Sequence, residues 1–158
     1  MDHLKTHRLH FLLGKWSGEG TGQFPTITPF SYKEILTFNF DGHSDLIHYE
    51  QRTWLIPNDI PSHWESGFIK PVEEEENVFE ISNAQDSGRV EVLRGEYFIK
   101  NGTVILHFKM KLIQNDPRLV SSERIFTIRD NQLSYVKKMA TKNTPVHQQH
   151  LQATLFKC

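Results

Sequence analysis

Residues 14–27 read GKWSGEGTGQFPTI, with glycine at positions 14, 18, 20 and 22 and tryptophan at position 16. In a β-strand, residues two apart share a face, so the indole and the last three glycines lie together on one side. Such a face is unsuited to a flat sheet, because interior glycine leaves nothing to pack. It is typical of a strand that bends sharply, or that lets a bulky neighbour approach its backbone, as a coiled barrel sheet requires. Pro25 then ends the strand, because proline cannot continue a ladder.

Turn residues divide the rest of the chain into short segments. Residues 30–40 alternate apolar and polar side chains, and three dipeptides are hairpin signals: Asp41-Gly42, Asn101-Gly102 and Asp130-Asn131. We place further strands at 46–56, 78–82, 88–94, 97–100, 103–113, 120–129, 132–141 and 147–156. Short strands joined by hairpins predict an all-β, antiparallel up-and-down barrel of about ten strands. Pairing of the last strand with the glycine strand would remove both sheet edges.

The composition limits the classes of function. The chain has 158 residues, which we interpret as a single domain over 1–158, and it carries 18 basic against 19 acidic side chains. This balance gives no electrostatic argument for a nucleic-acid or membrane partner. The single cysteine, Cys158, allows no intrachain disulfide and favours a reducing compartment, which we take to be the cytoplasm with the nucleus left open. No apolar run is long enough to span a membrane, and Met1 is taken to indicate a complete chain.

The N-terminal residues 1–13 are predicted to form an arm or a short helix. His3, His7 and His10 would share one face of that helix, which raises the question of a zinc site. A fourth protein ligand is missing nearby, so we favour a solvated polar face opposite the leucines. The four consecutive carboxylates at 73–76 are interpreted as a solvated turn, because calcium loops space out their ligands around a glycine.

The glycine strand also resembles a family signature. The block Gly14-x-Trp16-x-Gly18-x-Gly20, followed by Pro-Thr-Ile, is similar to that of the nitrobindins. These are small haem-binding β-barrels, which also form the C-terminal domain of some THAP-domain proteins. Further segments similar to the family are 30–34, 52–54 and the H-x-E-S-G segment at 63–67. The resemblance implies a barrel like those of lipocalins and fatty-acid-binding proteins, with the N-terminal segment as a short helical plug.

The last strand supplies a candidate iron ligand. His150 alternates in phase with Gln148 and Gln152, whereas His147 shares the other face with Leu151 and its apolar neighbours, so alternation alone leaves either histidine open. The resemblance favours His150. Relatives have Met-Ala, a loop with proline, then His-Leu with the histidine as proximal haem ligand. Here the matching residues are Met139-Ala140, Pro145 and His150-Leu151.

The same resemblance implies roles for other residues and for the chain. His63 and Thr26 would lie on the distal side of the haem, and Leu93 and Met139 would line the pocket. The chain would bind one ferric haem b, with His150 as the only protein ligand to iron. It would isomerise peroxynitrite to nitrate and bind nitric oxide. We expect aromatic and aliphatic inward faces, and no acid–base residues in the pocket.

Other functions are considered beside this one. A carrier of a fatty acid or another hydrophobic ligand fits the barrel equally. An interior pair of arginines that binds the ligand's carboxylate would favour this function. The candidate arginines are Arg52, Arg94, Arg124 and Arg129. A protein-interaction module is a weaker alternative, and homodimerisation is left open. The sequence 121–123, Ser-Ser-Glu, with the scattered histidines indicates no catalytic triad. The glycines of 18–22 lack the lysine and the helix of a phosphate loop.

Overall fold

The computed structural model describes residues 4–158, which form one closed antiparallel barrel. A 3₁₀ helix, Lys5–Leu12, precedes ten strands: β1 Gly14–Phe24, β2 Ile27–Asn39, β3 Ile47–Leu55, β4 Ile60–Pro71, β5 Val78–Gln85, β6 Val90–Lys100, β7 Thr103–Gln114, β8 Leu119–Arg129, β9 Gln132–Thr141 and β10 Gln148–Lys157. Each strand pairs with its neighbours in sequence, and β1 also pairs with β10. The predicted topology and closure are therefore confirmed.

One predicted strand boundary is wrong. The segments 88–94 and 97–100, predicted as two strands, belong to the single strand β6. Gly95 continues the ladder between them, because its bare backbone lets the ring of Phe108 approach closely. A Cβ added at this position would lie 2.5 Å from Phe108 Cδ1.

One predicted turn is also wrong. Asp41-Gly42 does not form a two-residue hairpin, since β2 ends at Asn39 and β3 begins only at Ile47. The Asp41 carboxylate instead accepts hydrogen bonds from the backbone amides of the two residues that follow Gly42, at 2.8 and 2.7 Å. This side-chain turn competes with the tight hairpin and widens the connection.

The glycines of β1 act as the sequence predicts. A Cβ on Gly20 would lie 2.5 Å from Tyr32 Cζ, and one on Gly22 would collide with the Phe30 ring. Both rings come from β2, the neighbouring strand. Because β1 carries no side chains at these two positions, the rings of Tyr32 and Phe30 can pack directly against its backbone.

The helix Lys5–Leu12, here called the N-terminal plug, covers the end of the barrel where β1 begins. Leu9 and Leu12 are fully buried, and Trp16 packs with them in the apolar core. The Trp16 indole Nε1–H donates to the Leu12 carbonyl at 2.8 Å. Thr6 is held by the Asp45 carboxylate, which accepts from its hydroxyl and its amide. The predicted plug is confirmed.

The predicted solvated face of the plug is found at His7, which is exposed, but not at His10. The ring of His10 lies 4.5 Å from that of Phe40 and 5.1 Å from that of His7, centroid to centroid, so it is packed rather than solvated. His3 lies outside the described residues.

Among residues 4–158 there is no group of three or more His, Cys, Asp or Glu side chains that could hold a metal ion. Within the same residues, no helix is long and apolar enough to cross a membrane.

Candidate functional site

The last strand is interrupted at His150. In the β9–β10 ladder, Gln149 is opposite Lys138 and Leu151 is opposite Lys137, so His150 is an extra residue without a partner. This is a β-bulge, which re-aims side chains and shifts their alternation by one. Beyond the bulge the apolar side chains of β10 point into the barrel, as Ala153 does.

The bulge places the two histidines that alternation left open in different surroundings. His147 lies outside the barrel, where its two ring nitrogens are 2.7 Å from Ser121 Oγ and 2.9 Å from Glu123 Oε1. His107 contacts the same carboxylate. The structure thus brings together a serine, a histidine and a glutamate that the sequence did not indicate as a group. They form a surface hydrogen-bond chain in which both His147 nitrogens are occupied.

His150, in contrast, has one nitrogen free. Its Nδ1–H donates to the Gln23 carbonyl oxygen at 3.0 Å, at the end of β1. Within residues 4–158 its Nε2 makes no hydrogen bond. The rings of Phe24 and Phe30 meet the imidazole edge-on, at 5.7 and 6.5 Å between centroids. Burial lowers the pKa of His150, so the neutral imidazole with a lone pair on Nε2 is favoured.

His150 borders two concave spaces at the end of the barrel opposite the plug. The inner cavity, of about 240 Å³, runs into the barrel past Tyr32, His63 and Lys137. The outer groove, of about 510 Å³, lies along the rim past Thr26 and Met139. Arg89 also borders both spaces.

Arg89 is held in place by a carboxylate from another turn. Its Nε and Nη2 both donate to Asp116 Oδ2, at 3.1 and 2.7 Å. The pair joins the β5–β6 turn to the β7–β8 turn beside the mouth of the cavity. Although burial alone would raise it, the hydrogen bonds from Arg89 and Arg118 lower the pKa of Asp116 to about 2.

A layer of buried charge separates the inner cavity from the apolar core. Arg124 donates to Glu65 at 2.8 Å and to Glu91 at 3.3 Å, and all three side chains are buried. Tyr49 also donates to Glu65, at 2.5 Å. Burial by itself would raise the pKa of Glu65, but Arg124 and a hydrogen bond from His63 hold it well below its usual range. The inward faces are thus aromatic and aliphatic as predicted in the core, but a charged layer that was not predicted interrupts them.

A second buried carboxyl lies beside this layer. Glu34 accepts a hydrogen bond of 2.5 Å from the hydroxyl of Tyr135, whose oxygen is 2.7 Å from that of Tyr32. Gln51 donates to its other oxygen at 3.0 Å. Burial raises the pKa of Glu34 to about 7, although the hydrogen bonds from Tyr135 and Gln51 lower it. Ionisable groups therefore do surround the pocket, contrary to the expectation of none.

His63 is fixed by the charged layer. Its Nε2–H donates to Glu65 Oε1 at 2.8 Å, and its Nδ1 is 3.8 Å from Asp86 Oδ1. Because its Nε2 is engaged, this side chain is oriented as part of the cavity wall. His150 is thus the histidine at this end of the barrel whose Nε2 is free among the described residues.

Comparison with known proteins agrees with this architecture. Residues 5–157 match the family model described as the THAP4-like, heme-binding beta-barrel domain. The chain belongs to this family. The nitrobindin resemblance seen in the sequence is therefore confirmed.

Proteins with similar sequences have names that state an enzymatic activity. A protein of Arabidopsis thaliana named peroxynitrite isomerase Rv2717c is 38% identical over 149 residues, which cover 94% of this chain and 86% of the relative. Peroxynitrite isomerase 1 of Mycolicibacterium paratuberculosis is 32% identical, over 92% of this chain and 90% of its own. The crystal structure of Rv2717c from M. tuberculosis superimposes with a TM-score of 0.89 at 29% identity, covering 98% of this chain and 97% of that one.

The structure brings together most of the residues that the family resemblance selected. His150 borders both spaces, His63 lines the inner cavity, and Thr26 and Met139 line the outer groove. Leu93 is apart from them, fully buried in the apolar core. The haem-binding roles of all five stay predictions.

The donor set fits the haem group that the THAP4-like family binds. A histidine that binds haem iron does so as a neutral imidazole, and its other nitrogen typically donates to an oxygen acceptor, as His150 does to the Gln23 carbonyl. The adjoining groove has an apolar part, which includes Phe24 and Met139, beside a charged part with Arg89, Arg118 and Lys142. A flat macrocycle is therefore compatible with the chemistry of this rim.

The charged layer was missed in the sequence, although a signal was present. Glu34 alternates in phase with Tyr32 and Leu36, and Lys137 with Tyr135. Charged residues on otherwise apolar strand faces have to point inward with the rest of the face. The bulge at His150 left no comparable signal, because nothing in the local sequence marks an unpaired residue.

Proposed function

We propose that this chain is a haem-dependent peroxynitrite isomerase in which His150 is the protein ligand to iron. The single observation that carries the proposal is the bulge at His150. It points one imidazole to the cavity mouth with Nδ1–H donating to Gln23 and Nε2 unengaged. The family membership and the names of the similar proteins support the cofactor and the reaction.

The surroundings of His150 support its role as a fixed ligand. The Gln23 carbonyl sets the tautomer and raises the basicity of Nε2. The edge-on contacts of Phe24 and Phe30 restrict rotation of the ring. When bound, a ferric haem would supply a Lewis-acidic iron for an anionic substrate.

The other residues at the site would hold and enclose the cofactor. Thr26 and Met139 would contact it from the outer groove, and His63 would line the space reached through the inner cavity. We further propose one ferric haem b per chain, binding of nitric oxide at the same site and a location in the cytoplasm. Leu93 is not included, because it lies within the core.

The fatty-acid carrier considered from the sequence gains no support from the interior. The interior arginine pair that would favour it is absent among the described residues, since Arg124 is held by Glu65 and Glu91. Arg94 and Arg129 are exposed, and Arg52 lies over the rings of Trp54 and Trp64. The charged layer also interrupts the apolar channel that an acyl chain would need.

The test is a titration of the apo-protein with ferric haem, followed by its absorption spectrum. His150→Ala should lose the spectrum of histidine-ligated iron and the acceleration of peroxynitrite decay. His147→Ala is the matched control, since that imidazole lies outside the barrel three residues away, and it should behave as wild type. An unchanged iron spectrum in His150→Ala would contradict the proposal.

A further inference from the structure

Lys137 is a buried cation without a direct partner. Its side chain is only 7% exposed and lines the inner cavity from β9, between Arg124 of β8 and Leu151 of β10. Among residues 4–158 its ammonium forms no salt bridge and no side-chain hydrogen bond, because the carboxylates of the charged layer, Glu65 and Glu91, pair with Arg124 instead. Its three N–H donors therefore lie at the cavity wall without a protein acceptor.

The neighbouring charges are already paired with one another. Arg124 is engaged by Glu65 and Glu91, at 2.8 and 3.3 Å. Across the cavity, Arg89 is engaged by Asp116 at 2.7 Å. The two glutamates attract the ammonium at longer range and keep the site close to neutral overall. Arg124 keeps an unpartnered Nε, but both of its Nη atoms are engaged, so Lys137 is the lysine or arginine of the described cavity wall that forms no salt bridge.

We infer that Lys137 is the anion-binding group of the inner cavity and that it takes a small oxyanion or a carboxylate. Such a ligand presents two or three coplanar oxygens to the ammonium, and charge-assisted hydrogen bonds are strong away from water. If the proposed function is right, the ligand is the anionic nitrogen oxide formed or consumed beside His150, or a carboxylate arm of the cofactor. The presence of the anion site itself does not depend on that function.

The protonation state of Lys137 suits this role. Burial, with the nearby Arg124, lowers its pKa to about 8, so the amine is still mostly charged at neutral pH. A bound anion would favour the ammonium further. The cavity volume of about 240 Å³ admits a three-atom or four-atom anion beside the lysine.

The probe for this site is sodium nitrate, titrated into the apo-protein at constant ionic strength. Calorimetry measures the affinity, and NMR of the Lys137 side chain locates the binding. We expect saturable binding in wild type, weakened about tenfold or more in Lys137→Met, which keeps the chain length but removes the charge. Lys138→Met is the matched control, because Lys138 is not among the residues lining the inner cavity and should bind nitrate as wild type does.

The haem-loaded protein separates the two sources of the anion. Retained nitrate binding assigns the site to a free oxyanion, whereas binding seen only in the apo-protein assigns it to a carboxylate of the bound haem. Equal affinity in Lys137→Met, or Lys137 resonances that nitrate does not shift, would overturn the inference. The NMR measurement on wild type decides the matter even if the variant does not fold. Because the nitrate titration of the apo-protein involves no haem, its outcome is independent of the His150 test.

Discussion

Glu34 lies fully inside the barrel, in hydrogen-bond contact with Tyr135 and Gln51. Burial raises the pKa of its carboxyl from the ordinary value of 4.5 to about 7. The folded protein therefore binds this proton more tightly than the unfolded chain does. The resulting stabilisation is fully present below pH 4.5 and is lost as the pH rises through 7.

We predict that Glu34→Gln removes this pH dependence. Wild type should lose on the order of 3 kcal/mol of unfolding free energy from this group between pH 4.5 and pH 8, and the variant should not. Urea unfolding across that range measures the difference. Glu50→Gln, on the same sheet but outside the barrel, should keep the wild-type slope. If the unfolding free energies of wild type and Glu34→Gln changed in parallel with pH, the Glu34 carboxyl would have an ordinary pKa and the prediction would be wrong.

Arg124 neutralises the charge of two buried carboxylates, so its substitution should lower the stability of the fold. We predict that Arg124→Met lowers the unfolding free energy at pH 7 by about 3–5 kcal/mol, because Glu65 and Glu91 are then left buried without a cation. Chemical denaturation measures it. Arg129→Met, at an exposed position of the same strand, should change stability by about 0.5 kcal/mol or less. Similar values for the two variants would contradict the compensating role.

At the level of the strand, β1 depends on its bare backbone. A Cβ on Gly18 would collide with the Thr154 carbonyl of β10 and come within 2.9 Å of the Leu155 Cα. We therefore predict that Gly18→Ala destabilises the barrel by about 1–3 kcal/mol, because two paired backbones must separate. Thermal unfolding measures the loss. Thr21→Ala, on the outer face of the same strand, should leave the melting temperature nearly unchanged, and an equal effect of both changes would argue against a steric cause.

The strands show why sequence alone predicted much of the fold. Apolar alternation and turn chemistry are local, and they place β7, β8 and β9 within a few residues of their observed ends. The strand continues through Gly95, where a break was predicted, because a ring from the next strand packs there, and no local pattern reveals that contact. The bulge at His150 likewise depends on the register against β9, which is set by the whole sheet. The family resemblance selected His150 where strand periodicity could not.

Across the whole molecule, the N-terminal plug and His150 lie at opposite ends. Strand β1 starts beside the plug and ends beside Gln23, which over ten residue steps spans about 30 Å. Stability and ligand binding should therefore respond separately to changes at the two ends.

We predict that Leu9→Ala lowers the unfolding free energy by about 2–5 kcal/mol, because it leaves a cavity in the fully buried plug contact. The spectrum of the haem-loaded protein should stay as in wild type. Leu112→Ala, an exposed position, is the control for a general loss of apolar surface. A changed iron spectrum in Leu9→Ala would show that the two ends are coupled.

The hydrogen bond between His150 and the Gln23 carbonyl joins residues 127 positions apart in the sequence. It forms only when β10 pairs with β1. A chain in which only β1 to β9 have folded lacks that contact. The site is therefore one of the last parts of the barrel to assemble, and any cofactor it takes must be acquired after β10 has paired with β1.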